Sequence, residues 1–366
     1  MALKMNFSTH VLDFRFDAGT SRGIMRTRKT WFVKIFDTER PGIYGIGECA
    51  PLAGLSPEDL SQMDFELERL AKKISELSIT HFREEALEKV QKLTDPDFPS
   101  IRFGIETAIL DLLNGGNHII FHNEFSEGKH KLPINGLIWM GDKDFMSKQV
   151  EEKLGAGFTC IKMKVGAIEL EEELALLKVI RKVGGSKLDL RIDANGAFPN
   201  NEVFKILKRF ETLGLHSVEQ PIMPRQPEAM SLVCEKSSIP IALDEDLIGV
   251  HSTADKIELL SYVKPQYIVI KPSLVGGLLA TREWIRLAEE RQIGWWITSA
   301  LESNVGLNAI AQLTANYTVT IPQGLGTGQL YHNNIPSPLV IREGFIHYDK
   351  SLSWDMAALL NHSGSV

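Results

Sequence analysis

This sequence predicts an α/β protein, a (β/α)8-type barrel preceded by a small α+β domain, on three observations. Short strand-like runs recur at a nearly fixed period, amphipathic helical patterns fill the gaps, and the runs end on charged or hydroxyl residues. The run at 157–165, GFTCIKMKV, places Lys162 and Lys164 on one face of a strand. Two lysines crowded on an otherwise apolar strand are costly unless carboxylates lie close by. Downstream, LDLRIDANG ends on Asp193, HSVEQP on Glu219, PIALDED on Asp244, YIVIKPS on Lys271, and GWWITSA on Thr298 and Ser299. From Lys164 the steps are 29, 26, 25, 27 and 27 residues. A strand, a helix and two loops take roughly 25–30 residues. Helical patterns at 168–183 and 278–292 occupy two of the intervals. Each strand thus delivers a polar group at its C-terminal end, where such barrels build their active sites.

Taken in order, residues 6–50 read as an antiparallel meander. FSTHVLDFRF and TWFVKIF are strands, and GIYGIG at 42–47 is a Gly-rich strand or turn. Residues 17–29, rich in Gly, Ser and Arg, read as a solvated loop or as a basic flap that closes over an anionic substrate. Ser56 suits a helix N-cap, with Pro57 at the first helical position and Asp59 at the third. Further helices are expected at 81–92 and 100–113, the latter with Ile101, Ile105, Ala108, Ile109 and Leu112 on one face. Residues 1–125 therefore form the α+β domain, and the polar stretch 114–131 leads into the barrel. Over 126–328, LPINGLIWM is barrel strand one, the KMK run strand two, the next five runs strands three to seven, and YTVTIPQGLG the eighth element. Residues 329–366 carry a Pro/Asn-rich run and a β-type segment, IREGFIHYD, which returns to pack on the N-terminal domain.

The composition narrows the function. Of the 366 residues, 43% are hydrophobic and 24% charged, an ordinary globular balance. A net charge of −7 argues against nucleic acid or an anionic membrane as partner. The N-terminus has no charged segment followed by an apolar one, and no apolar run approaches the ~18 residues that span a bilayer. Cys49, Cys160 and Cys234 are scattered without a CxxC pair, which suits a reducing cytoplasm.

The strand-end residues define the chemistry. A single acid after a strand is most often a helix cap, but Asp193, Glu219 and Asp244 end three consecutive strands. Three hard carboxylates with no nearby His or Cys favour Mg²⁺ over Zn²⁺. Lys164 and Lys271 lie four strands apart in an eight-stranded ring, on opposite sides of the mouth. Amines flanking a divalent ion suit removal of a proton next to a carboxylate, the ion taking the enediolate charge and a lysine the proton. An ordinary lysine, with pKa ~10.4, is protonated at neutral pH. A nearby Mg²⁺ and Lys162 are expected to lower the pKa of Lys164 enough for it to act as a base. Lys162 also neutralises Asp193 on a purely structural reading. A Schiff-base aldolase could use a barrel lysine, but leaves the three carboxylates unexplained. The Gly-rich loop 324–328 admits a phosphorylated substrate as a lesser reading.

These motifs resemble the enolase superfamily, in its muconate-lactonizing subgroup. The resemblance spans nearly the whole chain. It rests on K-x-K (Lys162, Lys164), D-x-N (Asp193, Asn195), Glu219 in VEQP, Asp244 in LDED and Lys271 in IKPS. It implies a modified TIM barrel, (β/α)7β, with an N-terminal α+β capping domain. It also implies Asp193, Glu219 and Asp244 as Mg²⁺ ligands, Lys164 and Lys271 as the acid/base pair, and a small anionic carboxylate as substrate. In D-E-D (244–246) the L-D-E match selects Asp244. FDAG (16–19), GECAPLAGLS (47–56), PSIRFGIETAILDL (99–112) and SALESNVGL (299–307) resemble members that dehydrate their substrate. The Asp-x-Asp that dipeptide epimerases carry after the last strands is absent from 299–303, and the Arg after K-P that succinylamino acid racemases tend to have is replaced by Ser273. A lyase is the implied activity. Thr298, Ser299, Gly324 and Leu325 are placed to hydrogen-bond the substrate's side arm, and Asn195 to orient the site or its water.

Overall fold

The computed structural model describes residues 2–20, 23–77, 82–166 and 168–360. Residues 21 and 22 of the expected flap, 81 of the expected second helix and 361–366 of the C-terminal segment lie outside the described residues.

The N-terminal sheet is antiparallel: β1 (Leu3–Thr20), β2 (Gly23–Asp37) and β3 (Tyr44–Cys49) in that order. The expected loop at 17–29 is corrected here. The strands continue past a register shift between Asp13 and Ala18, so that Ala18 pairs with Met25 and Gly19 with Ile24. Ladder pairing satisfies backbone groups that a loop would leave to water. Helices α1 (Met63–Ile74), α2 (Arg83–Leu93) and α3 (Pro99–Leu113) follow. Ser56 is not the N-cap. Its hydroxyl accepts the Leu52 N–H at 2.7 Å, while Asp59 caps a short 3₁₀ turn at Leu60–Gln62 that runs into α1. Pro99 opens α3, and Glu58 accepts the Ser100 N–H at 2.7 Å.

After a short strand β4 (Lys131–Pro133), the barrel alternates strands and helices as the period predicts: β5 (Gly136–Ile138), α4 (Lys143–Gly155), β6 (Cys160–Lys164), α5 (Leu170–Gly184), β7 (Asp189–Asp193), α6 (Val203–Phe210), β8 (Ser217–Glu219), α7 (Pro227–Lys236), β9 (Ile241–Leu243), α8 (Thr253–Val263), β10 (Tyr267–Ile270), α9 (Gly277–Glu289), β11 (Gly294–Ile297) and α10 (Asn304–Thr314). Strands β5 to β11 are hydrogen-bonded in sequence order as one parallel sheet of seven. Their outward apolar residues, including Ile161, Met163, Leu190, Ile192, Val218 and Ile270, form the main core with the surrounding helices.

Two expected barrel strands differ. LPINGLIWM is split: β5 belongs to the barrel, whereas β4 pairs with a C-terminal hairpin, β12 (Leu339–Arg342) and β13 (Phe345–Tyr348). YTVTIPQGLG forms no strand. Gln323 and Gly324 make single parallel bridges to Ile134 and Thr298 and so close the ring. The Asn135 N–H donates to the Gln323 carbonyl at 2.9 Å, and the Gly324 N–H to Ile297 at 2.8 Å. Pro322 has no N–H to extend the ladder. Gly324 is required by close approach, since a Cβ there would stand 2.0 Å from Thr298 Oγ1. The C-terminal segment also reaches the first sheet, where the His332 N–H donates to the Asp13 carbonyl at 2.9 Å and Met356 and Leu359 pack with Phe32 and Ile46.

Strand β3 joins the two parts. Gly45, Gly47 and Cys49 alternate with Ile46 and Glu48, and the glycine face lies directly on α3. A Cβ at Gly47 would stand 1.8 Å from the Gly104 carbonyl oxygen, and one at Gly45 1.8 Å from that of Ala108. On the opposite face, Glu48 accepts the N–H groups of Ser303 and Gly306 at 2.9 Å at the start of α10. From α3, Glu106 accepts the Leu278 N–H at the start of α9. Two buried carboxyl groups of the first domain thus meet the N-termini of two barrel helices. Among the described residues, no helix is long and apolar enough to cross a membrane.

Candidate active site

The parallel register sets the polar groups side by side at the C-terminal ends of the strands. Lys164 pairs with Asp193, and Asp193 with Glu219. Lys162 and Lys164 are buried, as are Asp193, Glu219 and Asp244. Lys162 Nζ donates to both Glu219 oxygens at 2.9 and 3.0 Å and lies 3.2 Å from Asp193. Lys164 Nζ donates to Asp193 at 3.0 Å and to Asn195 Oδ1 at 2.7 Å. Lys271, just beyond β10, donates to Asp244. Asn195 adds a bond from Nδ2 to Glu245 at 2.9 Å, which ties the D-x-N turn to the turn after β9. All the residues expected to carry the chemistry therefore meet at one mouth.

Each charge is set by its neighbours. Burial alone would push Lys162 down, but Asp193, Glu219 and Asp244 outweigh it and hold the ammonium well above the ordinary lysine value. Lys271 is raised too, burial being outweighed by Asp244, Glu245 and Glu219. Burial opposes the Asp193 charge, yet Lys162, Lys164 and Lys271 keep its carboxyl well below the usual range. Glu219 is pushed up to about 8, by burial first and then by the charges of Asp193 and Asp244.

That crowding bears on a metal. Among the described residues, no three His, Cys, Asp or Glu side chains converge closely enough to hold an ion as they stand. The carboxylates are drawn to the lysine ammoniums instead. The donor set nevertheless fits a hard divalent cation. Three buried carboxylates offer oxygen alone, and Asp193 and Glu219 stand opposite each other on neighbouring strands.

Aspartate 246 is turned away from this centre. Its carboxylate accepts the Gln220 side-chain amide at 2.9 Å and the Arg225 N–H at 2.7 Å. Gln220 and Asn195, next to the acids of β8 and β7, hold positive φ angles of 39° and 45°, conformations that side chains other than glycine rarely adopt.

A cavity of about 400 Å³ opens above the lysines and is lined by Lys162, Lys164, Asp193, Asn195, Lys271, Thr298, Ser299 and Gly324. Leu325 is buried in the barrel core and does not line it. Thr298 Oγ1 donates to the Gly324 carbonyl at 3.0 Å, and Ser299 Oγ to Glu302, so both hydroxyl hydrogens are engaged within the protein. Glu302 also binds the Ser273 hydroxyl, two residues past Lys271.

The roof was not legible as such. Phe16, Ile24 and Met25 from the β1–β2 hairpin, with Leu52 and Leu55, cover the cavity. The expected basic flap is thus apolar where it meets the site. Arg26 pairs with Asp17 at 2.9 Å, and Arg28 is buried, donating to the Ala50 and Ala300 carbonyls. The signal available was the isolated apolar pair Ile24–Met25 inside a polar segment.

Comparison with known proteins agrees with this geometry. Residues 146–351 match the family described as enolase C-terminal domain-like. The chain is 43% identical to the o-succinylbenzoate synthase of Desulfotalea psychrophila, over 94% of this chain and 98% of that protein. It is similar to the crystal structure of MenC from Desulfotalea psychrophila, with a TM-score of 0.83 and 39% identity over 95% of this chain and 100% of that one. The dipeptide epimerase from Enterococcus faecalis, whose crystal structure is complexed with Mg and the dipeptide L-Leu-L-Tyr, matches with a TM-score of 0.81 over 96% of this chain and 100% of that one. At 20% identity that likeness is one of fold.

Proposed function

The chain belongs to the enolase superfamily, in its muconate-lactonizing subgroup, and from that premise we propose that it is an o-succinylbenzoate synthase of menaquinone biosynthesis. The reaction is dehydration of 2-succinyl-6-hydroxy-2,4-cyclohexadiene-1-carboxylate to 2-succinylbenzoate. The observation that carries the reading is the buried set of Lys162, Lys164 and Lys271 against Asp193, Glu219 and Asp244 at the mouth of a barrel, in a chain 43% identical to a synthase.

Lys164, held between Asp193 and Asn195 at the cavity wall, removes the proton alpha to the ring carboxylate. It returns that proton to the departing hydroxyl, so that water leaves and the ring becomes aromatic. Lys271, approaching from the opposite side, stabilises the negative charge that develops on the ring carboxylate. Lys162 spans Glu219 and Asp193 and keeps these acids in place. Asp193, Glu219 and Asp244 would hold Mg²⁺, which supplies positive charge to the substrate carboxylate when bound. The apolar roof excludes water from the reacting carbon.

A division of the chain near residues 125 and 328, with the C-terminal segment bound to both parts, accompanies this reading. The three buried free cysteines support a cytoplasmic setting.

The second reading is racemisation of succinylated amino acids, favoured by the placement of lysines on opposite sides of the mouth. Dipeptide epimerisation is less well supported, because Glu302, the one acid in 299–303, is spent on Ser273 and Ser299 and leaves no carboxylate for a substrate ammonium. The test is an ultraviolet assay of the cyclohexadiene carboxylate with Mg²⁺ and again after EDTA. Rapid aromatisation lost on chelation and restored by Mg²⁺ is the expected result. A folded, Mg²⁺-loaded protein that leaves the diene unchanged overturns the synthase reading.

A further inference from the structure

The engagement of Thr298 and Ser299 leaves open what binds the far end of the substrate. A carboxylate needs donors, and both of these hydroxyl hydrogens are already committed. Two buried polar side chains line the same cavity without a protein partner among the described residues. Thr327 Oγ1 is buried and unpaired, and so is Asn135 Oδ1, an acceptor without a donor, which leaves the Asn135 amide free to turn its Nδ2 toward an anion; the two residues are only 7% and 5% exposed. Leaving a buried polar atom unpaired costs about 1–3 kcal/mol, so a pair of them at one cavity wall marks a place where something else supplies the bonds.

The two residues are brought together where the ring closes. The Asn135 backbone N–H is bonded to Gln323, and Gly326 lies against the Asn135 carbonyl, where a Cβ would stand 3.5 Å from that oxygen. Along the first barrel strand Asn135 shares a face with Leu137 and Trp139, which line the cavity as well, while Gly136 faces Ile161 and Lys153.

We propose that Asn135 and Thr327 form a subsite for the second carboxylate of a dicarboxylate substrate. The Thr327 hydroxyl and the Asn135 amide each donate one hydrogen bond, and the reacting carboxylate stays at the lysine cluster. This rests on the synthase reading, in which the second carboxylate ends the succinyl arm.

The experiment measures binding of 2-succinylbenzoate, and of its analogue with the arm carboxylate converted to a carboxamide, by calorimetry with Mg²⁺ present. Thr327→Val and Asn135→Asp should each weaken the dicarboxylate roughly tenfold or more, with little effect on the carboxamide, and Thr327→Ser should restore binding. In turnover the loss should fall mainly on KM. Unchanged dicarboxylate affinity in both variants, or equal losses for both ligands, overturns the subsite while leaving the wild-type synthase activity standing. If the wild type fails to aromatise the diene, the functional reading falls instead. The subsite is then judged by the same comparison with an N-succinyl amino acid, which carries the same arm.

Discussion

Asp246 accepts the side-chain amide of Gln220 at 2.9 Å, and the same Gln220 accepts the Asp244 N–H through Oε1 at 3.1 Å. One glutamine thus ties the end of β8 to the turn after β9, and it sets the two aspartates of D-E-D in different surroundings. Asp244 meets Lys271 at the centre, whereas Asp246 faces the brace.

Asp244→Asn should therefore abolish Mg²⁺ binding measured by calorimetry and reduce turnover by about 10³-fold, on the scale of lost electrostatic stabilisation. Asp246→Asn keeps an oxygen for the Arg225 N–H and should weaken Mg²⁺ only about 10- to 100-fold, as an outer partner of a ligand does. Equal losses in the two variants would contradict the separation of roles.

Lys164→Ala should lower kcat by about 10²–10⁴-fold, the usual contribution of a positioned base. Lys271→Ala should lose about 10²–10³-fold through missing charge stabilisation. Circular dichroism should show both variants folded, because each removes one ammonium from a cluster that keeps two others. Near-normal turnover in Lys164→Ala would sink the proton-transfer assignment.

His216 gives the protein an acid-side liability that is independent of the site. Burial, and then the neighbouring Arg191 charge, pull its pKa from 6.5 to about 4. The unfolded chain takes up this proton near pH 6.5 and the folded one only near 4, so stability is full above 6.5 and declines as the pH falls toward 4. Urea midpoints at pH 7 and pH 5 should differ less in His216→Gln than in the wild type. An identical drop in both would show that His216 does not titrate in this way.

Much of the barrel was legible because its signal is local and repeated. The near-constant step from Lys164 through Asp193, Glu219, Asp244 and Lys271 to Thr298 is imposed by the length of a strand–helix unit. Alternation along a strand then puts Lys162 and Lys164 on one face whatever the rest of the chain does. The sequence by itself thus determined the fold class and which acids and lysines share the mouth.

Tertiary structure decided whatever depends on a partner distant in sequence. Ser56 has the chemistry of a cap, but the Leu52 N–H reached it first, and Asp59 took the role. Polar composition made 17–29 read as a loop, yet pairing of Ala18 with Met25 made it a hairpin whose apolar side roofs the cavity. The eighth strand shrank to single bridges at Gln323 and Gly324, where Pro322 cannot donate and Thr298 leaves no room for a side chain. Thr298 and Ser299 sit at the mouth as their spacing required, but whether their hydroxyl hydrogens face substrate or protein depended on Gly324 and Glu302. Periodicity fixes which face a residue occupies; a hydrogen bond is fixed by what the folded chain brings opposite it.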